Sequence, residues 1–596
     1  MTLSSPLLSH SRRGSVAWLL IYALWILSPN FVWLTQCNGR HFADSIPYAL
    51  MSGLLPSLVA LVMLFGVCAR RLWVGCMLLL PFLPLIPVEI AYIVHYHEPT
   101  WYAIIATSFE SNSHEIIDFL GAAIWPLLLA CVLSTLFGVV IVVHARHARL
   151  VWVDRTRAWA LIACTTIVVL FAFREWRAHE SQDVRSTSSM RSTTTSSERR
   201  LPAWTADIEP SFPIGVPVRF MHYREEWNAI RAHTQKLASF RFGTYPIKHF
   251  AQRQIYVLVV GETGRRDHWQ LYGYPRPTNP ELLKIPNLIL FTHMITPAGE
   301  SRDSVPMIVS RKPATDHAPF YSERSITAAF SEAGFDTYWL SNQMAIGHFD
   351  SPIAAVAYDA AHVSFYSVTD WDHPGTYDEV LLNPLREAIR QSSKDLLVVL
   401  HTMGSHSNYA NRYPEAFDVF TPSLKGVSEP DYYDLSLHER LLNSYDNSIL
   451  YTDHFLSEVI HTLASTDAIS ALWYVSDHGE DFASATCKLA GHGNGTTNDF
   501  RIPSFFWYST AYAAADADAL AQIRLHSTMK MTTEVIAESL VDMAGLDFPS
   551  HDQTRSIFSP RWQERPRIVT VLGQFDLDFD AAAVSPKCKI MVPHRE

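Results

Sequence analysis

The chain has 596 residues and a formal net charge of −11, with 48% hydrophobic and only 18% charged residues. This length exceeds that of one ordinary domain, and the low charged content indicates membrane segments. The negative net charge argues against a general nucleic-acid-binding protein, so we expect no nucleic-acid partner.

Five apolar segments precede residue 175. Each is near the roughly 20 residues that a helix needs to cross the hydrocarbon core. The segments cover residues 16–35, 47–67, 72–94, 119–143 and 158–173. The first is long, rich in Trp and followed by further segments, so we interpret it as a membrane helix rather than a cleaved signal peptide. We therefore predict an α-helical transmembrane domain of five spans over residues 1–175.

Arginines in the short loops predict the orientation of these spans. Arg12 and Arg13 precede the first segment, and four further arginines lie between residues 146 and 157. Arg70 and Arg71 follow the second segment, whereas the alternate loops carry one Arg and no Lys. Cytoplasmic loops are the ones enriched in Lys and Arg. We predict a multi-pass protein of the cell inner membrane, with its amino terminus in the cytoplasm and its carboxy-terminal domain in the periplasm.

The loop between the third and fourth segments, TWYAIIATSFESNSHEIIDFL, allows two interpretations. It is an amphipathic helix at the membrane interface, or a polar patch that meets a cationic lipid headgroup. Glu110, Asn112 and Glu115 lie in this loop. Residues 176–252 are predicted to be a linker, rich in Ser, Thr and Arg over residues 181–200, followed by a bridging helix.

From Ile255 onward, short apolar runs alternate with helical patterns, which is typical of parallel βαβ units. We predict an α/β periplasmic domain over residues 253–596, with a mostly parallel sheet and helices on both faces. Its apolar runs end in polar residues at Glu262, His401 and Asp477-His478. Because the carboxyl ends of parallel strands meet along one edge, these side chains are expected to lie close together.

Two carboxylates and one imidazole at that edge predict a metal site. Hard oxygens with one nitrogen suit Zn²⁺ or Mn²⁺. Asp477 and His478 are adjacent, so both can bind one ion only if the backbone turns sharply, which Gly479 permits.

A hydroxyl in GESRDSVP again has two interpretations. Ser301 is a metal-bound nucleophile at the start of a helix, or only the cap of that helix. Histidines at 401, 406 and 492 are structural residues, or they contact a phosphoryl group or second metal and supply the acid for a leaving group. Cys487 and Cys588 could pair in an oxidising compartment, and the sequence leaves this open.

These motifs resemble the phosphoethanolamine transferases of the sulfatase and alkaline-phosphatase superfamily. The resemblance rests on the amino-terminal spans and on VLVVGET, LYGYPRPTNPEL, HTMGSH, YDNSILYTD, SDHGE and GHG in this order. It implies that Glu262, Asp477 and His478 bind zinc together with Ser301, which falls at the position of the nucleophile. It also implies that His406 and His492 contact the phosphoryl group or a second zinc. One Zn²⁺ is then tightly bound, and a second is allowed.

The same resemblance places Glu110, Asn112 and Glu115 in the region that accepts the ethanolamine headgroup. Three departures concern the acceptor and the nucleophile. The nucleophile is Ser rather than the common Thr, and Pro297 and Met307 stand where lipid A-modifying members have cysteines. A family Lys after the Asn of WLSNQ is absent, with Ile346 near its place. These departures favour members that modify the lipopolysaccharide core or periplasmic glucans.

The resemblance implies transfer of phosphoethanolamine from phosphatidylethanolamine to lipopolysaccharide, at its core or lipid A, through a phosphoethanolamine-Ser301 intermediate. Alternatives are a glucan acceptor, phosphoglycerol transfer, hydrolysis of a phosphodiester or sulfate ester, and a non-catalytic binding protein. Sulfate hydrolysis is disfavoured because no CxPxR or SxPxR follows Glu262. Ser304 is the second candidate nucleophile, and we expect the protein to be a monomer.

Overall fold

A computed structural model describes residues 6–36, 46–96, 99–101, 104–105, 123–186, 205, 208–317, 321–343, 351–367, 369–370, 373–374, 376–427, 430–571 and 575–592. The chain divides into two compact units between Glu225 and Glu226. They are called the membrane unit and the soluble unit below.

The membrane unit is helical. Its longer helices are Pro6–Gln36, Leu55–Val67, Leu72–Leu78, Leu85–Tyr96, Ile124–His147 and Arg155–Ser186, with short helical turns at Ile46–Tyr48, Ala49–Leu54 and Leu80–Phe82. A further helix, Gly215–Leu237, begins in this unit and runs past its end.

Three stretches of the described chain are long and apolar enough to cross a membrane: Ser15–Gln36, Ile46–Val67 and Ile124–His147. A bent pair, Leu72–Phe82 and Leu85–Val94, makes a fourth if it is one span. The fifth predicted segment lies within helix Arg155–Ser186, and the count of five spans stays a prediction. Large apolar side chains such as Leu133 and Val140 are exposed on Ile124–His147, as expected for a surface that faces lipid.

The segment before helix Gly215–Leu237 is fastened to the membrane helices by buried polar contacts. Asn30 Nδ2 donates to the carbonyl of Phe212 at 2.6 Å, and the Phe212 N–H donates back to Asn30 Oδ1 at 3.1 Å. Ser57 donates to the same carbonyl at 2.6 Å. Arg219 pairs with Glu89 at 2.8 Å, with both side chains buried. These bonds satisfy polar groups that would be costly to bury unpaired.

Seven strands form the main sheet of the soluble unit: β1 Gln254–Gly261, β2 Leu288–Leu290, β3 Asp336–Ser341, β4 His362–Phe365, β5 Leu396–His401, β6 Ile469–Ser476 and β7 Ser504–Tyr508. Their order across the sheet is β2-β7-β6-β1-β5-β3-β4. Strands β6, β1, β5, β3 and β4 run parallel, and β7 is antiparallel to both of its neighbours. The predicted mostly parallel α/β sheet is confirmed.

Helices cover both faces of this sheet. They are α1 Ser301–Val309, α2 His438–Ala464, and helices at Ile326–Glu332, Pro352–Ala357, Leu382–Gln391, Thr510–Ala515, Ala517–His526 and Ile536–Met543. A short helix, Thr497–Phe500, packs instead in a separate cluster through Phe500. The sheet lies between two hydrophobic cores, and alternate side chains of β1 enter different cores. Leu258 and Val260 pack with α1, whereas Val257 and Val259 pack with α2. A strand buried on both faces is therefore continuously apolar.

Five two-stranded pairs complete the soluble unit. They are Tyr245–Pro246 with Leu546–Asp547, Met294–Ile295 with Met531–Thr532, Thr369–Asp370 with His373–Pro374, Ile568–Val571 with Phe575–Asp578, and Ala583–Val584 with Met591–Val592. A disulfide joins Cys487 to Cys588, which settles the pairing that the sequence left open.

Candidate active site and metal centre

The parallel register brings the ends of three strands to one level. Gly261 of β1 is paired with Ser476 of β6, and Val260 is paired with His401 of β5. The residues that follow β1 and β6, Glu262 and Asp477, therefore leave the sheet side by side. Together with His478 they form a group whose ligand atoms all lie within 4.8 Å of one another, and all three side chains are buried.

The atoms of this group are placed as metal ligands. His478 Nε2 lies 3.2 Å from Glu262 Oε1 and 3.5 Å from Asp477 Oδ2. His478 Nδ1 donates to the carbonyl of Gly479 at 2.9 Å, which leaves Nε2 facing the carboxylates. Asp477 Oδ2 is buried without a hydrogen-bond partner in the described chain. One imidazole, two carboxylates and an unsatisfied oxygen fit a Zn²⁺ ion.

Three further hydrogen bonds orient the carboxylates. The Thr263 N–H donates to Asp477 Oδ1 at 3.0 Å, and the Thr263 hydroxyl donates to Glu262 Oε1 at 2.6 Å. Gln343 Nε2 donates to Glu262 Oε2 at 3.0 Å. Bonds of this kind fix the orientation of metal ligands. Thr263 does this from a left-handed backbone conformation, with φ of +56°, which is uncommon for a β-branched residue.

Ser301 is the first residue of α1, and its hydroxyl faces the group. Its Oγ lies 3.1 Å from Glu262 Oε2, to which it can donate, and 3.1 Å from His478 Nε2. The cap position of α1 is occupied by Glu300, whose side chain makes no capping bond. The cap alternative for Ser301 is therefore wrong, because Glu300 holds the cap position and the Ser301 hydroxyl contacts Glu262 and His478. Ser304 is fully buried, and its hydroxyl has no partner among the described residues.

Mutual electrostatics of the group favour a bound cation. Burial tends to raise the pKa of Glu262, yet the His478 imidazole holds that pKa well below its usual range. Burial and the charge of Glu262 raise the pKa of Asp477 to about 7. Burial tends to lower the pKa of His478, but Asp477 and Glu262 hold it well above its ordinary value. A divalent ion would take the place of the proton that His478 retains.

His492 and His406 lie in loops at the same edge. The His492 ring is 4.1 Å from the His478 ring, and its Nδ1 is 3.6 Å from Glu480 Oε2. His406 Nδ1 is bonded to the carbonyl of Ser407 at 2.7 Å, and its charge lowers the pKa of Glu262. No hydrogen bond joins His406 to Ser301 among the described residues.

The loop after β5 closes over Glu262. The Ser405 N–H donates to the Glu262 carbonyl at 3.0 Å. Gly404 has φ of +47°, and a Cβ there would lie 2.6 Å from that same carbonyl oxygen. Only Gly permits this approach. His401 instead is buried in the core, against Trp339 and bonded to Ser341 at 3.1 Å, which agrees with its structural interpretation.

Sequence reasoning missed Gln343, Thr263 and Glu480. Gln343 and Thr263 are each the second residue after a strand end, close to where the predicted ligands lie, and this was the available signal. Glu110, Asn112 and Glu115 lie outside the described residues.

The sulfatase family matches residues 254–544. This match lies within the soluble unit. Phosphoethanolamine transferase EptC of Escherichia coli O18:K1:H7 is 26% identical over 383 residues, covering 62% of this chain and 64% of the relative. The chain thus matches somewhat less than two thirds of that relative's length.

Two solved structures share the fold. The integral membrane protein lipooligosaccharide phosphoethanolamine transferase A (EptA) from Neisseria meningitidis is 17% identical with a TM-score of 0.65, covering 91% of this chain and 98% of its own. The periplasmic domain of E. coli EptC, crystallised with zinc, is 24% identical with a TM-score of 0.51, covering 57% of this chain and 96% of its own. The resemblance to phosphoethanolamine transferases is confirmed, and the chain is a membrane protein with a soluble α/β domain.

Proposed function

We propose that the protein is a zinc-dependent phosphoethanolamine transferase that acts on lipopolysaccharide, at its core or lipid A. The observation that carries the proposal is the Ser301 hydroxyl, which lies 3.1 Å from both Glu262 Oε2 and His478 Nε2. A hydroxyl at a metal-type group is suited to nucleophilic attack on phosphorus. The relatives named phosphoethanolamine transferase support phosphoethanolamine as the transferred group.

Glu262, Asp477, His478 and Ser301 would hold the zinc ion. Bound there, Zn²⁺ supplies positive charge that lowers the pKa of a hydroxyl and offsets the charge of phosphoryl oxygens. In this proposal the Ser301 proton passes to Glu262 Oε2, which lies 3.1 Å from Ser301 Oγ.

The reaction has two steps. Ser301 Oγ bonds to the phosphorus of phosphatidylethanolamine, and the bond from phosphorus to the glycerol oxygen breaks. Diacylglycerol leaves with a proton from an edge histidine, His406 or His492, and phosphoethanolamine stays on Ser301. An oxygen of the acceptor's hydroxyl or phosphate then bonds to the same phosphorus, and the bond from phosphorus to Ser301 Oγ breaks. The proton of that acceptor oxygen passes to the edge histidine, and Ser301 regains its own proton from Glu262.

The proposal includes a location and partners. The arginine pattern favours a multi-pass protein of the inner membrane with its catalytic domain in the periplasm. There the donor headgroup and the lipopolysaccharide acceptor are both within the same compartment. Glu110, Asn112 and Glu115 are proposed to meet the donor headgroup, and the protein is proposed to act as a monomer.

A transfer assay with Ser301→Ala tests the nucleophile. The full-length protein is incubated with phosphatidylethanolamine labelled in its headgroup and with lipopolysaccharide. We expect Ser301→Ala to lower the rate of phosphoethanolamine transfer by at least about 1,000-fold, since removal of the nucleophile abolishes the covalent route. Ser304→Ala is the matched control and should keep its activity. Undiminished transfer by Ser301→Ala would overturn the proposal.

Mass spectrometry of the cell envelope tests the acceptor. Lipopolysaccharide and periplasmic glucans are compared from cells with and without the gene. We expect phosphoethanolamine on lipopolysaccharide only in cells that carry the gene. Gene-dependent phosphoethanolamine on glucans alone would exclude lipopolysaccharide as the acceptor.

A further inference from the structure

A carboxylate lies next to the proposed nucleophile and has no role in the mechanism above. Glu300 occupies the cap position of α1, directly before Ser301, with an extended backbone. Its side chain makes no capping bond, and no hydrogen bond or ion pair within the described chain holds it, although the charges of His492, His478 and Arg302 act on it. It is half-buried. A carboxylate that is partly removed from water without a partner is stabilised by a cation.

The loop that carries His492 is shaped around this carboxylate. Gly493 follows His492, has φ of +73°, and lies so close to Glu300 that a Cβ there would be 2.7 Å from Glu300 Oε1. The His492 ring in turn stands 4.1 Å from the ring of His478. Glu300 is therefore held at the rim of the proposed reaction centre, on the side of His492.

A second acid strengthens the negative charge on this side. Glu480 Oε2 lies 3.6 Å from His492 Nδ1, and Glu480 Oε1 is buried without a hydrogen-bond partner. Glu480 is itself almost fully buried, so only Glu300 of these two carboxylates is exposed enough to meet a ligand. Opposite charges attract strongly in such partly desolvated surroundings.

Phosphoethanolamine is a zwitterion whose ammonium group stands two carbons from its phosphate ester oxygen. When its phosphorus is at Ser301 Oγ, the ammonium is within the reach of a side chain on the neighbouring residue. A phosphoglycerol group presents uncharged hydroxyls in the same place. We propose that Glu300 binds the ammonium of the transferred phosphoethanolamine and selects this headgroup over phosphoglycerol. This inference rests on the proposed function.

The experiment compares two donors on the full-length protein in mixed micelles. Wild type, Glu300→Gln and Asp303→Asn are each assayed with phosphatidylethanolamine and with phosphatidylglycerol, and kcat/KM is measured for both. Asp303 is the matched control because it is half-buried, lies in the same first turn of α1 and loses the same charge. Zinc content and the thermal unfolding midpoint are recorded for every variant.

We expect Glu300→Gln to lower kcat/KM for phosphatidylethanolamine by about 10- to 100-fold, the range for a hydrogen bond to a charged group. The value for phosphatidylglycerol should stay unchanged or rise, so the preference between donors shrinks. Asp303→Asn should keep the wild-type preference. Glu300→Asp, which retains a carboxylate, should keep more of the preference than Glu300→Ala, and this pair gives the same comparison independently of the Gln variant.

Three results would overturn the inference. They are an unchanged donor preference in Glu300→Gln, an equal loss with both donors, and a loss of preference in Asp303→Asn of the same size. The inference and the proposed function fail in different ways. Wild-type protein that transfers no phosphoethanolamine contradicts the proposed function, whereas wild-type transfer with an unaltered Glu300→Gln preference contradicts only the role of Glu300.

Discussion

Gln343 holds a proposed metal ligand in place without binding the metal itself. Its Nε2 donates to Glu262 Oε2 at 3.0 Å and to the carbonyl of Thr402 at 3.1 Å. We expect Gln343→Met, which keeps the length of the side chain but removes the donor, to weaken zinc retention or transfer by about 10- to 100-fold. Zinc content during dialysis against a chelator measures this, together with the transfer rate.

The control for this residue is Gln391→Met, which changes an exposed Gln at the end of a surface helix. It should match wild type in both measurements. Zinc loss that is equal in wild type and Gln343→Met would show that the amide does not orient Glu262.

Residue by residue, the predictable part of the site was the part set by strand ends. Glu262, Asp477 and His478 follow long buried runs, so their convergence follows from a parallel sheet. Gln343 was missed because its reach to Glu262 depends on the turn after β3, which the sequence pattern does not determine. The contact of Thr263 depends likewise on its left-handed backbone conformation.

His401 makes the stability of the protein depend on pH. Burial lowers the pKa of His401 to about 4 from 6.5. The unfolded chain therefore binds the extra proton, and the stability that neutral His401 contributes is present above pH 6.5 and lost as the pH falls towards 4. This difference amounts to at most about 3 kcal/mol.

Thermal unfolding of wild type and His401→Asn at pH 7 and pH 5, both with chelator, tests this dependence. The wild-type midpoint should fall more between the two values than that of the variant, because Asn does not titrate. Equal falls would mean that His401 is not buried in its neutral form.

At the scale of elements, the Cys487–Cys588 disulfide joins two segments of the soluble unit. One is the strand pair Ala583–Val584 and Met591–Val592, and the other is the loop over residues 481–492, which we call the His492 loop. Asp481 and Gly491 close this loop through backbone bonds of 2.7 and 3.1 Å, and Cys487 lies between them. The strand pair also donates from the Met591 N–H to the Gly495 carbonyl at 2.9 Å. The bridge spans a sequence separation of 101 residues.

We expect the double variant Cys487→Ser/Cys588→Ser to lose about 2–4 kcal/mol of stability, since the bridge restricts the unfolded chain. Transfer should fall several-fold because the His492 loop loses its support, whereas zinc should stay bound to residues that follow β1 and β6. Thermal unfolding with and without reductant measures the effect. Reductant should lower the unfolding midpoint of wild type to that of the double variant. The control Cys131→Ser should have the wild-type midpoint with and without reductant. A reductant effect that persists in the double variant would contradict this assignment.

The pattern of elements was more predictable than their ends. Strands β1 and β6 are buried throughout and mostly apolar because helices cover both faces of the sheet, and such runs are easily seen in a sequence. The antiparallel strand β7 and the pairing of Cys487 with Cys588 depend on contacts between distant segments. The first is set by packing at the sheet edge, and the second by the position of a hairpin that the sequence does not specify.

At the scale of the whole molecule, the membrane unit depends on a buried ion pair. Arg219 Nη1 lies 2.8 Å from Glu89 Oε2, and Glu89 Oε1 accepts from the Thr100 N–H at 3.1 Å. We expect Arg219→Met to destabilise this unit by about 3–5 kcal/mol, because it leaves a buried carboxylate without its partner. The double variant Arg219→Met/Glu89→Gln should recover part of this loss.

This cost is measured by heating the protein in detergent and finding the temperature at which half of it is no longer monodisperse. Arg155→Met, at the exposed start of helix Arg155–Ser186, is the control and should match wild type. A double variant no more stable than the single one would show that Glu89 finds another partner when Arg219 is absent.

The central claim for the molecule is that Ser301 carries the phosphoethanolamine during transfer. Peptide mass spectrometry of the full-length protein, incubated with phosphatidylethanolamine and no acceptor, tests it most directly. We expect phosphoethanolamine on the peptide that contains Ser301, its release when lipopolysaccharide is added, and its absence in Ser301→Ala. Phosphoethanolamine attached to another residue, or acceptor modification without any adduct on Ser301, would contradict the claim.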